Sequence, residues 1–437
     1  NAVLDLIRAY DVDPGRVGML ALGTESSTDN AAGAVIVRGM VDRGLDALGL
    51  PRLSRELEVP EFKHACLGGM YGLKSALRYA ATDGADRLSI MVASDVAEYE
   101  RGSSGEQTQG AGAVAMLVEA EPKLFEVDLR GCGSASDYRG PDFRKPFARH
   151  FTPDYAAQTK RMSDFPIFSG KYSTFAYLDE TVRAVEAMLA KQSVSAGKYY
   201  RQVQALFFHR PYKMMPIQAM SFLYVRGLAQ GGNHPDELEA LCEKAGVDER
   251  VIAAETESNP DLFSPLYEGK EPENPYPATS AAAAVLRKQQ SFRTLLAEKM
   301  RLGSEAMMDL GNLYTASLPA WLAAGFEEGL EGGVEAGAPM VAIGYGSGDA
   351  AESMPLVPVE GWADAAAKIG FRASLDNDPR DLTREAYVAL HDGDMSVELS
   401  ADPKNAFVVS RVGDTYSPGF QDLGVEYYEY VPGPVLA

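Results

Sequence analysis

Unbroken apolar runs alternate, through the early part of the chain, with stretches whose apolar residues recur every three or four positions. Val17 to Leu22 (VGMLAL), Arg87 to Ser94 (RLSIMVAS) and Gly110 to Val118 (GAGAVAMLV) are continuous runs, the pattern of strands covered on both faces of a sheet. Asn1 to Tyr10 places Val3, Leu4 and Ile7 on one helical face, and Gly69 to Thr82 does the same with Leu73, Ala76, Leu77 and Ala80. A further helix is expected from about Ala31 to Leu48, and a strand-like approach ends at His64-Ala65-Cys66. Strands alternating with helices over roughly a hundred residues predict an α/β protein with layered sheets.

The pattern then loosens. From Cys132 to Lys171 the chain is rich in Pro, Gly and aromatics (DYRGPDFRKPFARHF, then DFPIFSGKYS), the composition of a long structured loop of the kind that carries sites. Leu178 to Lys191 predicts a helix, and Val203 to Phe208 a strand that runs into His209-Arg210-Pro211-Tyr212. Gly231 to Ser280 holds 12 acidic residues against 3 basic ones, with several prolines, and reads as a solvated insertion. Helices are expected at Phe292 to Leu310 and Ala320 to Glu328, bracketing Gly311-Asn312-Leu313-Tyr314-Thr315-Ala316-Ser317. Met340 to Ile343 is a short strand feeding Gly344-Tyr345-Gly346-Ser347-Gly348, and the tail keeps strand-like pieces such as Phe407-Val408-Val409. No repeat of about 20–50 residues is visible.

Composition narrows the class. In 437 residues, 41 Lys+Arg face 62 Asp+Glu for a formal net charge of −21, and 46% of positions are hydrophobic. That excludes disorder, collagen and coiled coil. At about 100–200 residues per domain, the length allows two or three domains or one large double unit. The acidity would repel a phosphate backbone, so no nucleic-acid partner is expected. No apolar run approaches the roughly 18 residues that span a bilayer, and no membrane partner is expected either. Three cysteines, Cys66, Cys132 and Cys242, make neither a disulfide framework nor a C-x-x-C zinc pair. A reduced, cytoplasmic protein is expected, in which each thiol is filler or chemistry.

Cys66 carries the strongest signal, because it stands where a strand ends and a helix begins, next to Gly68 and Gly69. The positive end of a helix dipole lowers a thiol's pKa, and neighbouring glycines let a substrate approach backbone N–H groups. Plain burial is the competing reading, since free cysteine is among the most buried residue types; Cys132 and Cys242 have only that reading. Among five histidines, His209 follows a buried-looking strand at the sheet end where α/β folds place ligands. His64 lies two residues before Cys66, so in an extended segment both would point the same way. His150, His234 and His391 fall in charged or loop segments. Glu25 closes a strand in Gly-Thr-Glu-Ser, where a carboxylate can be half buried, although a solvent-facing Glu would look the same. Gly344-x-Gly346-x-Gly348 and Gly110-x-Gly112 have the wrong spacing or order for a nucleotide fingerprint. They read as backbone packed tightly around a cleft.

In order, Gly23-Thr24-Glu25-Ser26, Ala65-Cys66-x-Gly68-Gly69, Gly105-Glu106-x-Thr108-Gln109-Gly110-Ala111-Gly112, Phe208-His209-x-Pro211-Tyr212, Gly311-Asn312-x-Tyr314-Thr315-x-Ser317 and Tyr345-Gly346-Ser347-Gly348 resemble the 3-hydroxy-3-methylglutaryl-CoA synthase family of the thiolase superfamily. Asp142-Phe143-Arg144-Lys145-Pro146, with Pro166-Ile167 and Gly170-Lys171-Tyr172-Ser173, is similar to the loop before that family's long helix. The resemblance implies a five-layered αβαβα fold built from two similar halves, here 1–175 and 176–437, and a homodimer. It implies that acetyl-CoA, acetoacetyl-CoA and water give 3-hydroxy-3-methylglutaryl-CoA and CoA, in the mevalonate route to isoprenoids. By matching position, Cys66 takes the acetyl group as a thioester, Glu25 is the base on its methyl, and His209 contacts the acetoacetyl thioester. Asn312, Tyr314 and Ser347, with Thr108 and Asp142, fall where the family shapes its acyl pocket. No metal and no cofactor is implied beyond the CoA thioester substrates.

The departures are Leu67, where many members carry an aromatic, and Lys213, one position earlier than the family's basic residue, so its contact with CoA phosphates stays open. An insertion falls near Gly49 to Glu58, and the family's first strand and helix are expected ahead of Asn1. Relatives that act on acyl-carrier-protein-bound β-ketothioesters would share the same residues. A ketoacyl synthase with Cys66, His209 and Asn312 would have no use for Glu25, and a non-catalytic thiolase-fold subunit would need none of them. Basic residues are expected at the pocket mouth, with Gly231 to Ser280 away from it.

Overall fold

The computed structural model describes residues 1–26, 33–144, 165–167, 169–231, 234–271, 273–376, 379–394, 396–397 and 403–433. Lys145, Pro146, His150 and the expected helix start at Ala31 lie outside the described residues.

The first sheet is made by β1 (Val17–Gly23), β2 (Glu61–Phe62), β3 (Leu88–Ala97) and β4 (Gly110–Val118), with α1 (Ala2–Ala9) ahead of β1, α2 (Gly33–Ala47) between β1 and β2, and α3 (Gly68–Ala80) between β2 and β3. Its order is β2-β1-β3-β4; β2 and β3 run parallel to β1, and β4 runs antiparallel to β3. Alternate strand residues go to opposite faces. Leu20, Leu22, Ile90 and Val92 pack with Val3, Leu4 and Ile7 of α1 and with Val41 and Leu45 of α2. Met19, Ala21, Met91 and Ala93 pack with Met70, Leu73 and Ala76 of α3. Both faces are covered, which is why these strands read as unbroken apolar runs.

The second unit runs through β5 (Phe125–Val127), β6 (Gly133–Ser136), α4 (Gly170–Gln192), α5 (Ala196–Gln202), β7 (Ala205–Phe208) and α6 (Met214–Ala229). Then come α7 (Pro235–Ala245), α8 (Glu249–Glu257), α9 (Ser264–Tyr267), α10 (Pro277–Leu286), α11 (Gln290–Lys299), α12 (Ser317–Gly329), β8 (Met340–Gly346) and β9 (Ala350–Pro358). The second sheet has the order β5-β9-β8-β7, with β6 also on β9, so it draws strands from both sides of residue 175. α3 lies between the sheets: Met91 of β3 closes on Gly72, while Leu67 and Met70 close on Gly344 of β8. α12 shares that layer, with Gly325 against Phe207 of β7. α4 covers the far face along β6 and β9. Helices, sheet, helices, sheet, helices: this is the five-layered thiolase-like architecture. Further on, β10 (Ala406–Val412), β11 (Tyr416–Ser417), β12 (Phe420–Gln421) and β13 (Glu426–Val431) form two small antiparallel ladders.

Three elements differ from expectation. Gly231 to Ser280 is not a solvated insertion. Its acidic residues flank helices whose Leu238, Leu241, Cys242, Ile252 and Ala278 are buried in the main core, with α8 and α10 against α6. Pro235, Pro265 and Pro277 sit in first helical turns, where a missing N–H is harmless. The helix expected over Phe292 to Leu310 ends at Lys299, and the chain turns at Gly303 with φ 68°. β8 continues through Tyr345 and Gly346, because Gly344 and Gly346 let the strand pass where a Cβ would collide with α3's approach.

Candidate active site

The site is knotted by Asp95, near the end of β3 and almost fully buried. Its Oδ1 accepts from Thr24 Oγ1 at 2.9 Å, from the Glu25 N–H at 2.8 Å, from the Ser26 N–H at 2.9 Å and from Ser26 Oγ. Its Oδ2 accepts from the Thr315 N–H at 2.9 Å and from Thr315 Oγ1. One carboxylate thus fixes the turn carrying Glu25 and the loop carrying Asn312 and Tyr314, and charge-assisted bonds of this kind are the strong ones.

Cys66 lies just ahead of α3, among Ala97, Tyr99 and Tyr314, with Phe143 packed against them. Ala65 has φ 42°, so the segment is not extended, and the expectation that His64 and Cys66 point the same way fails. The thiol is not lowered either. Burial first, then Glu25, Asp95 and Asp142, push it well above its ordinary value. A thiolate here would sit out of water beside three carboxyl groups, which outweighs the helix dipole.

Glycines bring these turns together. A Cβ on Gly23 would lie 2.6 Å from Gly69 N, one on Gly69 2.6 Å from Thr315 O, and one on Gly346 2.5 Å from His64 O. Tyr314 adopts φ 47° and is held there by Asn312. The Asn312 Oδ1 accepts from the Tyr314 N–H at 2.9 Å and from Ser317 Oγ at 3.1 Å, and its Nδ2 donates to Tyr99 Oη at 3.2 Å. Burial pushes the Tyr99 phenol up to about 12 and the Tyr314 phenol further still, so both stay protonated.

His209 leaves β7 with its N–H donating to Ile343 O at 2.7 Å and its carbonyl accepting from Tyr177 Oη at 3.2 Å. Its ring is buried, and neither ring nitrogen has a hydrogen-bond partner among the described residues. Burial lowers its pKa to about 3, which makes it a neutral imidazole. The Tyr345 ring stacks on it at 6.5 Å and 24°, and Tyr345 Oη donates to Asp142 Oδ2 at 2.7 Å. Burial raises the Asp142 pKa.

Glu25, Cys66, Asp142, Asn312 and Tyr314 therefore meet in one neighbourhood, and His209 joins it through Tyr345. Thr108 turns its hydroxyl to Gly105 O at 2.8 Å, while its carbonyl accepts from the Asn312 N–H at 2.7 Å, so it props the pocket from behind. Ser347 lines a cavity of about 530 Å³ with His64, Ser136, Asp137, Tyr138, Arg144, Gly348 and Asp349. Among the described residues that cavity mixes Arg144 with the carboxyl groups of Asp137 and Asp349. Lys213 is exposed at the start of α6. His234 is exposed, whereas His391 is buried, bonded through Nε2 to Tyr99 O at 2.8 Å and stacked on Phe165. Sequence reasoning missed Asp95, Tyr99 and His391. A lone acid ending the apolar run SIMVAS was the available signal for Asp95.

Two stacked αβ units with a cysteine at the N-terminus of the central helix define a thiolase-superfamily condensing enzyme. Comparison with known proteins narrows this. The family described as hydroxymethylglutaryl-coenzyme A synthase N terminal matches residues 1–123. A hydroxymethylglutaryl-CoA synthase of Haloferax volcanii is 25% identical over 441 residues, covering 99% of this chain and 87% of that protein. One from Enterococcus faecalis is 29% identical over 208 residues, covering 48% of this chain and 46% of the relative. The solved structure of MvaS in complex with 3-hydroxy-3-methylglutaryl coenzyme A has 26% identity and a TM-score of 0.72, over 98% of this chain and 85% of that one. The curacin-pathway HMG synthase with an acetyl donor carrier protein shares the fold, at 20% identity and a TM-score of 0.62. The chain is thus similar to hydroxymethylglutaryl-CoA synthases over nearly its whole length.

Proposed function

We propose that this chain condenses acetyl-CoA with acetoacetyl-CoA and water to give 3-hydroxy-3-methylglutaryl-CoA and free CoA, the mevalonate-pathway step. The observation that carries the reading is the carboxylate of Glu25 within electrostatic reach of the Cys66 thiol, on a turn fixed by Asp95. A decarboxylating ketoacyl synthase has no use for such a base, whereas carbanion formation from an acetyl thioester requires one.

The Cys66 sulfur attacks the acetyl carbonyl and CoA leaves as the thiol, which makes the next encounter intramolecular. Glu25 removes a proton from the acetyl methyl. The resulting carbon attacks the ketone of acetoacetyl-CoA, which the neutral His209 ring polarises. Water then cleaves the Cys66 thioester, freeing Cys66 and leaving a carboxylate on the product. Because burial keeps Cys66 protonated at rest, its proton leaves as the acyl bond forms. Asn312, Tyr314 and Ser347 shape the acyl pocket, and Thr108 and Asp142 support it. The chemistry draws on side chains, the two thioesters and water.

The outer edge of β4, which pairs with no strand among the described residues and is half-exposed along Gly110 to Leu117, supports a homodimer formed through that edge. No helix among the described residues is long and apolar enough to cross a membrane, which fits a cytoplasmic enzyme.

A CoA-thiol release assay tests the reading. Wild type should release thiol from acetyl-CoA in step with added acetoacetyl-CoA, and Cys66→Ala should abolish that release. Equal release with a malonyl donor, or activity only with carrier-protein-bound acceptor, would overturn it.

A further inference from the structure

Behind Ser347 lies a buried charge cluster that the reaction above does not use. Arg139, 2% exposed, directs Nη2 at Asp179 and, at 3.0 Å, at Glu180 Oε1, both on α4. Its Nη1 lies 2.9 Å from Asp137 Oδ2, and its Nε lies 3.8 Å from Asp349 Oδ2. Arg183 and the Tyr276 hydroxyl complete Asp179. The backbone is tied as well. The Arg139 N–H donates to Gly348 O and the Asp137 N–H to Asp349 O, both at 3.2 Å, while Arg139 O accepts from the Asp142 N–H at 3.2 Å and from Tyr172 Oη at 2.8 Å.

Four carboxyl groups (Asp137, Asp179, Glu180 and Asp349) thus share two guanidiniums, with Asp142 beside Asp349, and all but Asp137 are buried. They cannot all be charged. Asp179 takes both cations and Tyr276. Neither oxygen of Asp349 accepts a hydrogen bond among the described residues, and its side chain has no exposure. Burial and then Asp142 push Asp349 well above the usual carboxylate range, and burial and then Asp179 bring Glu180 to about 7. Asp142 faces the other way. It accepts from Tyr345, whose ring stacks on His209, and its charge is felt at Cys66. The Tyr345 hydroxyl lies beside Asp349 too, and Asp349 lines the cavity that His64 and Arg144 share.

We infer that Arg139 is a positioning residue of the condensation site: it ties the Ser347–Asp349 turn to the loop 137–142 and keeps Asp142 ionised toward Cys66 and His209 while Asp349 holds a proton. The inference rests on the reaction proposed above. The Asp142–Asp349 pair titrates as a unit, and the working form carries one proton. Losing the first proton is the acid limb, and losing the second puts two charges side by side and is the alkaline limb. Arg139 reaches the pair through Asp349, so removing it makes the pair's first ionisation harder and the acid limb moves up in pH. Replacing Asp349 by Asn freezes the proton-carrying state, so the alkaline limb moves up.

The experiment is kcat and KM against pH for wild type, Arg139→Met, Arg139→Lys and Asp349→Asn. Arg139→Met should lower kcat at pH 7 by about tenfold or more, with KM for each thioester within about threefold. Its acid limb should rise by about one pH unit, and Arg139→Lys, which keeps the charge, should recover most of both. Uniform loss at every pH with an unmoved limb would overturn the inference, as would failure of Arg139→Lys to differ from Arg139→Met. If Arg139→Met does not fold, the near-isosteric Asp349→Asn decides. A raised alkaline limb supports the inference and a profile superimposed on wild type refutes it. Wild-type turnover with the two CoA thioesters tests the reaction itself, so the two failures are distinguishable.

Discussion

His209 shows how burial alone can choose a protonation state. With a buried ring and no charged partner among the described residues, its pKa falls to about 3, so at neutral pH it is the neutral imidazole that the proposed reaction uses to polarise a ketone. The same shift acts on stability. The folded value is below the unfolded one, so as pH falls through about 6.5 the unfolded chain takes up the proton first. Stability is therefore drained between about pH 6.5 and the folded value, by up to about 1.4 kcal/mol per pH unit. Denaturant titrations at pH 7 and pH 5 should show this loss, and His209→Asn should show a shallower decline; equal slopes would contradict the burial argument. Cys66 was legible from its place between strand and helix, but the direction of its shift was not. The dipole is a local property of sequence, whereas Glu25, Asp95 and Asp142 reach the thiol from three separate segments.

Elements that the sequence marks well are those whose pattern is set by their own burial. β1, β3, α1 and α3 fall close to where their apolar periods place them, because each is fully committed to one or two core faces. Elements whose extent is set by neighbours were harder. β8 runs on through Gly346, and α4 begins at Gly170, inside what reads as loop. The acidic stretch shows one packed face per helix only when α7, α8 and α10 are set against α6, and counting charges hides that stripe. Close approach without side chains is the other element-level device. Gly346→Ala would put a Cβ 2.5 Å from His64 O and 2.7 Å from Leu67 Cβ. We expect a loss of about 1–3 kcal/mol in denaturant unfolding, with slower condensation because β8 and the Cys66 turn are forced apart. Unchanged stability would show that the turn can yield.

At the scale of the molecule, the resemblance legible in the motifs is carried by two sheets clamped around α3 and α12, which bring Glu25, Cys66, His209 and Asn312 together from four distant parts of the chain. The net charge of −21 belongs largely to surfaces, yet part of it is internal: Asp95 organises the turns around Cys66, and Arg139 gathers acids behind Ser347. No spacing in the sequence announces either knot, because their members lie far apart in the chain. The central claim is that Cys66 carries the acetyl group and Glu25 makes its carbon nucleophilic. Intact-protein mass spectrometry after mixing with acetyl-CoA and then acetoacetyl-CoA tests it most directly. Wild type should gain one acetyl group on Cys66 and discharge it when acetoacetyl-CoA arrives; Glu25→Ala should gain the acetyl group and keep it. An acetyl group that never forms on Cys66, or one that Glu25→Ala discharges as fast as wild type, would contradict the account.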